Sequence, residues 1–296
     1  MELNTKSNWE SLRPLLIMVT VYFLHLLAGT GFYSLSLLLL RSFGPEHPFL
    51  GSIFSFSGFN FSLLMLLLFL GTIRLSEKVI FKERLLSRTY QRHTGMGREI
   101  LLGMAAGPAL FSLLFLVFFW INWLTVSGTV FSKPFGPERT GLYWAIPVLL
   151  VMAVYEELSV RGFLLSVFKK YYGAPVGIAF SALIFSLLHV YNPHLNQAGL
   201  IGIMLAGVWL GLAYEVTDSL YLPTALHFSW NLAQTFLGFP VSGLDTPHLI
   251  EVRISGPPFW TGGDFGPEAG MAGYLLIMIG IAMVLLYGKK KQRTSS

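Results

Sequence analysis

The sequence predicts an all-α, polytopic integral membrane protein with about eight transmembrane helices. Hydrophobic residues make up 54% of the 296 residues and charged residues only 12%, whereas soluble domains carry about 25% charged residues. Eight apolar segments are long enough, or nearly long enough, to cross a bilayer, since crossing the hydrocarbon layer takes about 20 apolar helical residues. This composition excludes a soluble enzyme, a disordered chain and a fibrous protein.

The eight predicted spans are joined by connections of very different length. The spans cover residues 14–40, 49–73, 100–125, 142–168, 175–191, 199–215, 220–238 and 271–287. The connection 74–99 is rich in Lys and Arg, and we expect a basic, partly amphipathic helix there that contacts anionic lipid headgroups. The connection 239–270 is rich in Gly and Pro, which indicates a turn-rich external connector.

The distribution of positive charge predicts the orientation. With an even number of spans and a cytosolic N-terminus, 15 of the 20 Lys and Arg residues lie inside, 4 lie outside, and Arg161 lies within a span. Cytoplasmic connections carry the excess of Lys and Arg in membrane proteins, so we expect both termini inside and a multi-pass protein of the cell membrane. The excess of Lys and Arg in these connections also explains the net charge of +5. We therefore do not expect nucleic acid as a partner.

Three charged residues fall within the fourth predicted span. Inserting a charged side chain near the centre of a membrane helix costs about 2.5–3.5 kcal/mol of free energy. Glu157 and Arg161 are four residues apart, on one helix face and in the favourable order, which predicts an internal ion pair. Glu156 is rotated by about 100° from Glu157 and is therefore the carboxylate left available for chemistry. The chain accordingly divides into an N-terminal region (1–141), a helical core (142–238) and a C-terminal region (239–296).

Two histidines lie in spans of the same half of the chain as Glu156. His189 is near the end of the fifth span, and His227 is followed on the same helix face by Asn231. His25 stands alone in the first span and is expected to be a hydrogen-bonded packing residue. The carboxylate, the two imidazoles and the carboxamide are candidates for one shared site.

The residues alone leave three interpretations of this candidate site open. In a hydrolytic site, Glu156 and His189 would activate water, and His227 and Asn231 would donate hydrogen bonds to an oxyanion. In a divalent metal site, Glu156, His189 and His227 would be ligands. The third interpretation is a structural or ion-conducting polar network.

Other chemistries lack their signals. The chain has no cysteine, which excludes a disulfide framework, a thiolate metal site and a cysteine nucleophile. HExxH and GxSxG motifs are absent from the sequence, and so are the zinc protease and serine hydrolase arrangements that they indicate. No internal repeat supports an inverted-repeat transporter.

Three motifs resemble those of the CAAX-protease and bacteriocin-processing family of intramembrane proteases. They are two glutamates with an arginine four residues beyond the second, a phenylalanine four residues before a histidine, and a histidine four residues before an asparagine. The corresponding segments here are EELSVR (156–161), FSLLH (185–189) and HFSWN (227–231). Position 160 is Val where the family often has Phe, which affects no catalytic group.

The resemblance implies a glutamate-dependent endopeptidase that acts within the membrane and opens toward the cytosol. Glu156 and His189 would activate the water, His227 and Asn231 would stabilise the oxyanion, and Glu157 with Arg161 would support the site. The expected substrate is a membrane-associated protein or peptide, with prenylated proteins among the candidates. No cofactor is expected, although a zinc-dependent variant stays open, and some relatives serve as non-catalytic membrane scaffolds or adaptors.

Overall fold

The computed structural model describes residues 8–43, 59–86, 90–132 and 135–295, most of which are helical. The helices in these residues are α1 (Asn8–Phe43), α2 (Phe59–Leu75), α3 (Met96–Trp120), α4 (Pro137–Glu157), α5 (Ser166–Tyr172), α6 (Ala174–Leu188), α7 (Gln197–Thr217), α8 (Tyr221–Leu237), α9 (Pro258–Thr261) and α10 (Met271–Ser295). Within the described residues, each predicted span overlaps one of these helices or a continuous helical run, and the third, 100–125, extends past its helix into β1 (Leu124–Thr129). The first ten residues of the second predicted span, 49–58, lie outside the described residues.

The fold is that of an all-α membrane protein. Four helical stretches are long and apolar enough to cross a membrane: Leu12–Phe32, Met96–Trp120, Gln197–Thr217 and Met271–Lys291. Many large apolar side chains point outward, among them those of Leu101 and Leu286. Apolar surface on this scale would be unfavourable in water and is the surface that faces lipid.

A continuous helical run joins α4 to α5 through a π-helical stretch, Leu158–Leu165. All eight residues of this stretch are buried, and it begins directly after the two glutamates of the first motif. π-helical turns widen the helix locally and are frequent at functional sites. The stretch therefore sets the direction in which the side chains after Glu157 leave the helix, including that of Arg161.

Helices α3 and α8 pack with their backbones in close approach. A Cβ atom at Gly107 of α3 would lie 2.3 Å from the carbonyl carbon of Ser229 on α8. The Ser229 hydroxyl donates to the Gly103 carbonyl oxygen at 2.7 Å and accepts from the Gly107 amide at 3.3 Å. Small residues allow such approaches between membrane helices, and hydrogen bonds between the helices add to the contact. This packing fixes the helix that carries His227 and Asn231.

The turns on either side of α7 and α8 follow from local sequence. The Asn196 side chain caps the first turn of α7 by accepting from the Gly199 amide at 2.8 Å. Asp218 ends α7 in the left-handed conformation, and Gly238 ends α8 in the same conformation. Asp and Gly tolerate positive φ better than most residues, so the chain reverses sharply at both points.

The connection 239–270 differs from the predicted turn-rich connector. Strand β2 (Ile250–Ile254) pairs antiparallel with β1 (Leu124–Thr129), with a bulge between Val126 and Gly128. The segment 258–270 then forms α9 and two single 3₁₀ turns, and residues 265–270 are buried. The connection is rich in turns, as predicted, and differs in its strand and in this buried segment, where the glycines serve close packing: a Cβ at Gly262 would lie 1.7 Å from the Gly266 carbonyl oxygen.

The basic connection 74–99 is helical only at its two ends, which corrects the predicted amphipathic helix. A π-helical turn, Ser76–Phe81, extends α2, and Lys82 ends it with a φ of 52°. The buried Glu77 carboxylate then accepts from the amides of Leu85 and Leu86, at 2.9 and 3.1 Å. These bonds satisfy backbone groups that a continued helix would have used, so the described residues between 82 and 95 run as an irregular loop.

Ion pairs gather the basic segments at one end of the helical bundle, here called the basic end. Glu83 pairs with Arg13 of α1 and with Lys170 of α5. Lys169 pairs with Glu215 near the end of α7 at 2.7 Å, and Lys291 of α10 approaches Glu99 of α3 at 3.4 Å. The β1–β2 pair lies at the opposite end, here called the strand end.

Candidate active site

A cavity of about 1390 Å³ lies within the bundle, and all four predicted catalytic residues line it: Glu156, His189, His227 and Asn231. They come from α4, from the end of α6 and from α8. Their sequence separation is large, and the close packing of α3 on α8 and of α6 on α7 brings the helices together. The structure thus places the four side chains around one space that could hold a peptide segment.

Glu157 is the centre of a buried charge cluster beside the cavity. Its Oε1 atom accepts from Arg161 at 2.7 Å, as the helix spacing predicts, and also from Nδ1 of His227 at 2.8 Å. Glu157 and Arg161 are both fully buried. The Arg161 guanidinium also donates to the Gly207 carbonyl oxygen of α7 at 3.1 Å and lies over the Phe185 ring of α6. One ion pair therefore connects four helices, α4, α6, α7 and α8.

Glu156 differs from its neighbour in being accessible from the cavity. Its side chain is 20% exposed, and its Oε2 atom lies 3.8 Å from Nε2 of His227, beyond hydrogen-bond distance. Among the described residues this oxygen has no hydrogen-bond partner. Oε2 of Glu157 has no partner among them either. Glu157 is fully buried and does not line the cavity, however, so Glu156 is the carboxylate that can accept a proton from a water molecule there.

Hydrogen bonding indicates the tautomer of His189. Nδ1 of His189 lies 2.8 Å from the carbonyl oxygen of Phe185. A carbonyl oxygen can only accept, so Nδ1 carries the hydrogen and Nε2 of the neutral ring is an acceptor. The Phe185 ring packs against the rings of both His189 and His227 and keeps the two imidazoles apart.

Asn231 lies one helical turn beyond His227, and the neighbouring residue connects it to the rest of the site. The indole of Trp230 donates to the buried Glu268 carboxylate at 3.0 Å. Glu268 also accepts from the amide and the hydroxyl of Ser242, at 2.8 and 2.7 Å. Sequence analysis missed Glu268 because it lies in a Gly- and Pro-rich connection, where an acidic residue carries no signal of burial.

His25 and Tyr155 also line the cavity, on the side formed by α1, α2 and α4. Nε2 of His25 lies 3.0 Å from the Tyr155 hydroxyl, and the His25 ring packs on the edge of Phe69. The expectation of a hydrogen-bonded packing residue in the first span is confirmed. Its contact with Tyr155, the residue before Glu156, was not predicted, because the two residues are far apart in the sequence.

In the described part of the chain, no three His, Asp or Glu side chains form a group that could hold a metal ion. The three ligands of the metal interpretation, Glu156, His189 and His227, do not make such a group. Nδ1 of His227 is also already bonded to Glu157. The metal interpretation therefore has no preformed ligand set among these side chains.

The cavity extends toward the strand end. Its lining includes the start of α2, the first half of α4, the turn after α6 and residues 241–247, and Asp245 at its mouth is 96% exposed. None of the described residues of 74–99, or of the ends of α5, α7 and α10, lines the cavity.

Residues 138–233 match the family described as "Type II CAAX prenyl endopeptidase Rce1-like". The resemblance to the CAAX protease family is confirmed. The matched segment covers about a third of the chain and runs from α4 into α8. None of the curated proteins compared with the chain matches it.

The CAAX protease match includes all six site residues that the sequence predicts. It begins at the first turn of α4 and ends two residues after Asn231. Outside it lie α1 and α2, which form one wall of the cavity, and Glu268, which holds Trp230. The family match therefore covers the charged centre of the site, while the remaining walls of the cavity come from parts of the chain that the match does not reach.

Proposed function

We propose that the protein is an intramembrane endopeptidase that hydrolyses peptide bonds of membrane-associated proteins or peptides. The observation that carries this proposal is the contrast between two adjacent carboxylates. Glu157 is fully buried and its Oε1 atom accepts from Arg161 and His227, whereas Glu156 lines the cavity, is 20% exposed and has no basic partner within hydrogen-bond distance of its Oε2 atom. A protein that only needed a structural ion pair would have no use for the second buried carboxylate.

In the proposed reaction, Glu156 takes a proton from a water molecule, and Nε2 of His189 accepts a hydrogen bond from the same water. The water oxygen forms a bond to the carbonyl carbon of the substrate, and the carbonyl oxygen becomes an oxyanion. When the C–N bond breaks, the proton held by Glu156 passes to the leaving amine. The products are a new carboxyl terminus and a new amino terminus.

The oxyanion would be stabilised by His227 and Asn231. Because Nδ1 of His227 donates to Glu157, its Nε2 atom can donate to an oxyanion only when the ring carries two hydrogens. The site supports that state, since Glu156 and Glu157 supply two negative charges and Arg161 with a protonated His227 supplies two positive charges. Preorganised donors of this kind contribute about 2.7–4 kcal/mol to transition-state stabilisation.

The proposal includes eight membrane-spanning segments with both termini in the cytosol, in a multi-pass protein of the cell membrane. Besides the four long apolar stretches, it assigns spans to the run from α4 to α5 and to α2, α6 and α8. The 15-to-4 distribution of Lys and Arg supports the orientation.

The test uses the protein purified in detergent with a panel of prenylated and unprenylated C-terminal peptides, and mass spectrometry reads the products. We expect Glu156→Gln to lower cleavage by about 10²–10⁴-fold, the usual contribution of a general base, without a change in thermal unfolding. The matched control is Glu10→Gln, which removes an exposed carboxylate at the start of α1 and should leave cleavage unchanged.

Each alternative predicts a different result in the same assay. A zinc-dependent variant of the protease would lose cleavage with a strong chelator and regain it with zinc. A non-catalytic scaffold would cleave no peptide of the panel, and Glu156→Gln would leave its cellular function intact. Equal cleavage by wild type and Glu156→Gln would contradict the assignment of the general base.

A further inference from the structure

Glu268 joins two distant turns of the connection 239–270 to α8. The residue is 4% exposed, and both oxygens of its carboxylate accept hydrogen bonds. Oε1 accepts from the Trp230 indole at 3.0 Å, and Oε2 accepts from the amide and the hydroxyl of Ser242 at 2.8 and 2.7 Å. Hydrogen bonds to a charged acceptor are stronger than those between neutral groups, so the carboxylate is a firm link between these segments.

Ser242 is held in a backbone conformation that few non-glycine residues adopt. It lies with Gly243 in a tight turn between Val241 and Leu244, whose backbones exchange two hydrogen bonds, and its φ is 48°. A non-glycine residue stays in the left-handed region where its surroundings fix it. Here the two hydrogen bonds to Glu268 fix it.

The carbonyl oxygen of Ser242 extends the connection to the turn that carries His189. It accepts from the side-chain amide of Asn192 at 2.8 Å. The backbone amide of Asn192 in turn donates to the His189 carbonyl oxygen at 2.9 Å. We call this series of hydrogen bonds the Glu268 chain; it runs from Asn192 through Ser242 and Glu268 to Trp230.

At its other end, the Glu268 chain fixes α8 next to Asn231. Trp230 directly precedes Asn231. Its ring packs edge-on against Phe111 of α3 and Trp209 of α7, with ring centroids 4.5 and 5.3 Å apart. All four members of the Glu268 chain line the cavity. The chain therefore connects α8, at one proposed oxyanion donor, to the turn that follows α6.

We propose that Glu268 is a positioning residue for the proposed hydrolysis. Through Trp230 and Ser242 it sets the separation of His189, which binds the attacking water, from Asn231, which binds the oxyanion. These two groups act on one peptide bond, and a misplacement of about 1 Å can cost about 100-fold in rate. The inference rests on the proposed function and gives a part of the protein outside the family match a role in it.

Glu268→Gln tests the proposal with little change of shape. A carboxamide has one acceptor oxygen, so its NH₂ group would face either the Trp230 indole or the two Ser242 donors, and the Glu268 chain would break there. With a peptide that the wild type cleaves, we expect kcat to fall about 10–100-fold and KM to change by less than about threefold. The matched control Asp264→Asn, which changes an exposed carboxylate of the same connection, should leave both constants unchanged.

The pH profile separates positioning from acid–base catalysis. The pH dependence of kcat in Glu268→Gln should keep the wild-type shape, because the proposed general base, Glu156, is unchanged. A lost limb of the profile would make Glu268 an acid–base group and would overturn the proposal. A higher KM with unchanged kcat would assign it to substrate binding and would also overturn it, as would wild-type values of both constants.

A second variant decides the matter even where Glu268→Gln fails to fold. Asn192→Asp places a carboxylate oxygen in place of the amide donor opposite the Ser242 carbonyl oxygen, and kcat should again fall with KM nearly unchanged; an unchanged kcat would overturn the proposal. Where both variants fold, the double variant should lose less than the product of the single losses, since both break one chain, and losses that multiply would contradict it. Failure of the proposed function would appear separately, as no cleavage by the wild type.

Discussion

Two adjacent glutamates in this protein have opposite environments, and the difference comes from their positions on one helix. Glu157 points toward Arg161 and His227 and is fully buried, whereas Glu156 points toward the cavity and is partly exposed. A rotation of about 100° between consecutive helical residues is enough to separate a structural carboxylate from a chemically available one. In the proposed function, Glu157 supports the site and Glu156 is its reactive group.

At the residue scale, we expect Arg161→Ala to damage folding as well as activity. The substitution leaves the Glu157 charge without its guanidinium partner in a buried position, and breaking such a pair costs about 3–5 kcal/mol. Thermal unfolding in detergent and peptide cleavage should both fall.

The control for this prediction is Arg13→Ala, which removes the partner of an ion pair whose arginine side chain is 42% exposed. Exposed ion pairs contribute about 0–1 kcal/mol to the free energy of unfolding, so this variant should unfold close to the wild-type temperature. If Arg161→Ala unfolded at the same temperature as Arg13→Ala and cleaved normally, the buried pair would not support the site.

At the element scale, the position of α8 depends on its contact with α3. Gly103 and Gly107 let the two backbones approach, and Ser229 bonds to both of these glycines. His227 and Asn231 lie on either side of Ser229 in the sequence. Any displacement of α8 away from α3 therefore moves both proposed oxyanion donors.

Gly107→Ala tests this dependence. The added Cβ would lie 2.3–2.5 Å from backbone atoms of Ser229 and Trp230, so the helices must separate, and overpacking of this kind costs about 1–3 kcal/mol. We expect a lower unfolding temperature and a loss of cleavage. Gly97→Ala on the same helix is the control, because its Cβ would meet nothing within 4 Å; equal behaviour of the two variants would refute the argument.

The sequence predicts a helix or an ion pair correctly where the spacing of residues within one segment determines it. Apolar runs predicted the helices, and the four-residue spacing of Glu157 and Arg161 predicted their ion pair, since both depend only on helix geometry. The loop 82–95 was not predictable, because its path depends on the Glu77 carboxylate accepting from Leu85 and Leu86. A charged residue in a basic segment gives no indication that it will bind backbone amides.

At the scale of the whole molecule, the contacts missed from the sequence join distant parts of the chain. His227 bonds to Glu157, seventy residues away, and Trp230 bonds to Glu268. The motifs predicted which residues meet in the site, but periodicity within one helix cannot indicate a partner on another. The strand pair β1–β2 was missed for the same reason, since each strand is short and lies within a connection.

A buried carboxylate at the basic end also joins distant segments. Glu99 is fully buried; it accepts from Ser219 at 2.8 Å, lies 3.0 Å from Nε2 of His93, and approaches Lys291 at 3.4 Å. The hydrogen bond to Glu99 raises the pKa of His93 above its ordinary value. A raised pKa means that the folded state binds the proton more tightly than the unfolded state does.

The interaction of protonated His93 with Glu99 should therefore stabilise the folded state fully below about pH 6.5, the ordinary pKa of histidine. This stabilisation should be lost as the pH rises through the raised pKa of His93 in the folded state. We expect wild type to unfold about 1–3 °C above His93→Gln at low pH, a size typical of a partly exposed pair, with the difference vanishing at alkaline pH. Unfolding temperatures of both proteins across this range test it. A difference that did not change with pH would assign His93 a packing role only.

The sharing of Oε1 of Glu157 between Arg161 and His227 has a mechanical consequence. If α4 tilted away from α8, Glu157 would keep Arg161 but lose its buried hydrogen bond to His227, so this bond holds the two helices together at the site.

Helix α1 in the opposite wall contacts the run from α4 to α5 near the site through uncharged groups: the Tyr22 hydroxyl donates to the Ser159 carbonyl oxygen at 3.2 Å, and Nε2 of His25 lies 3.0 Å from the Tyr155 hydroxyl. Only 11% of the most apolar stretch of α1 is buried. A bulky polypeptide in the cavity would therefore displace α1 more readily than α8, and the proposed catalytic groups on α4 and α8 would keep their relative positions.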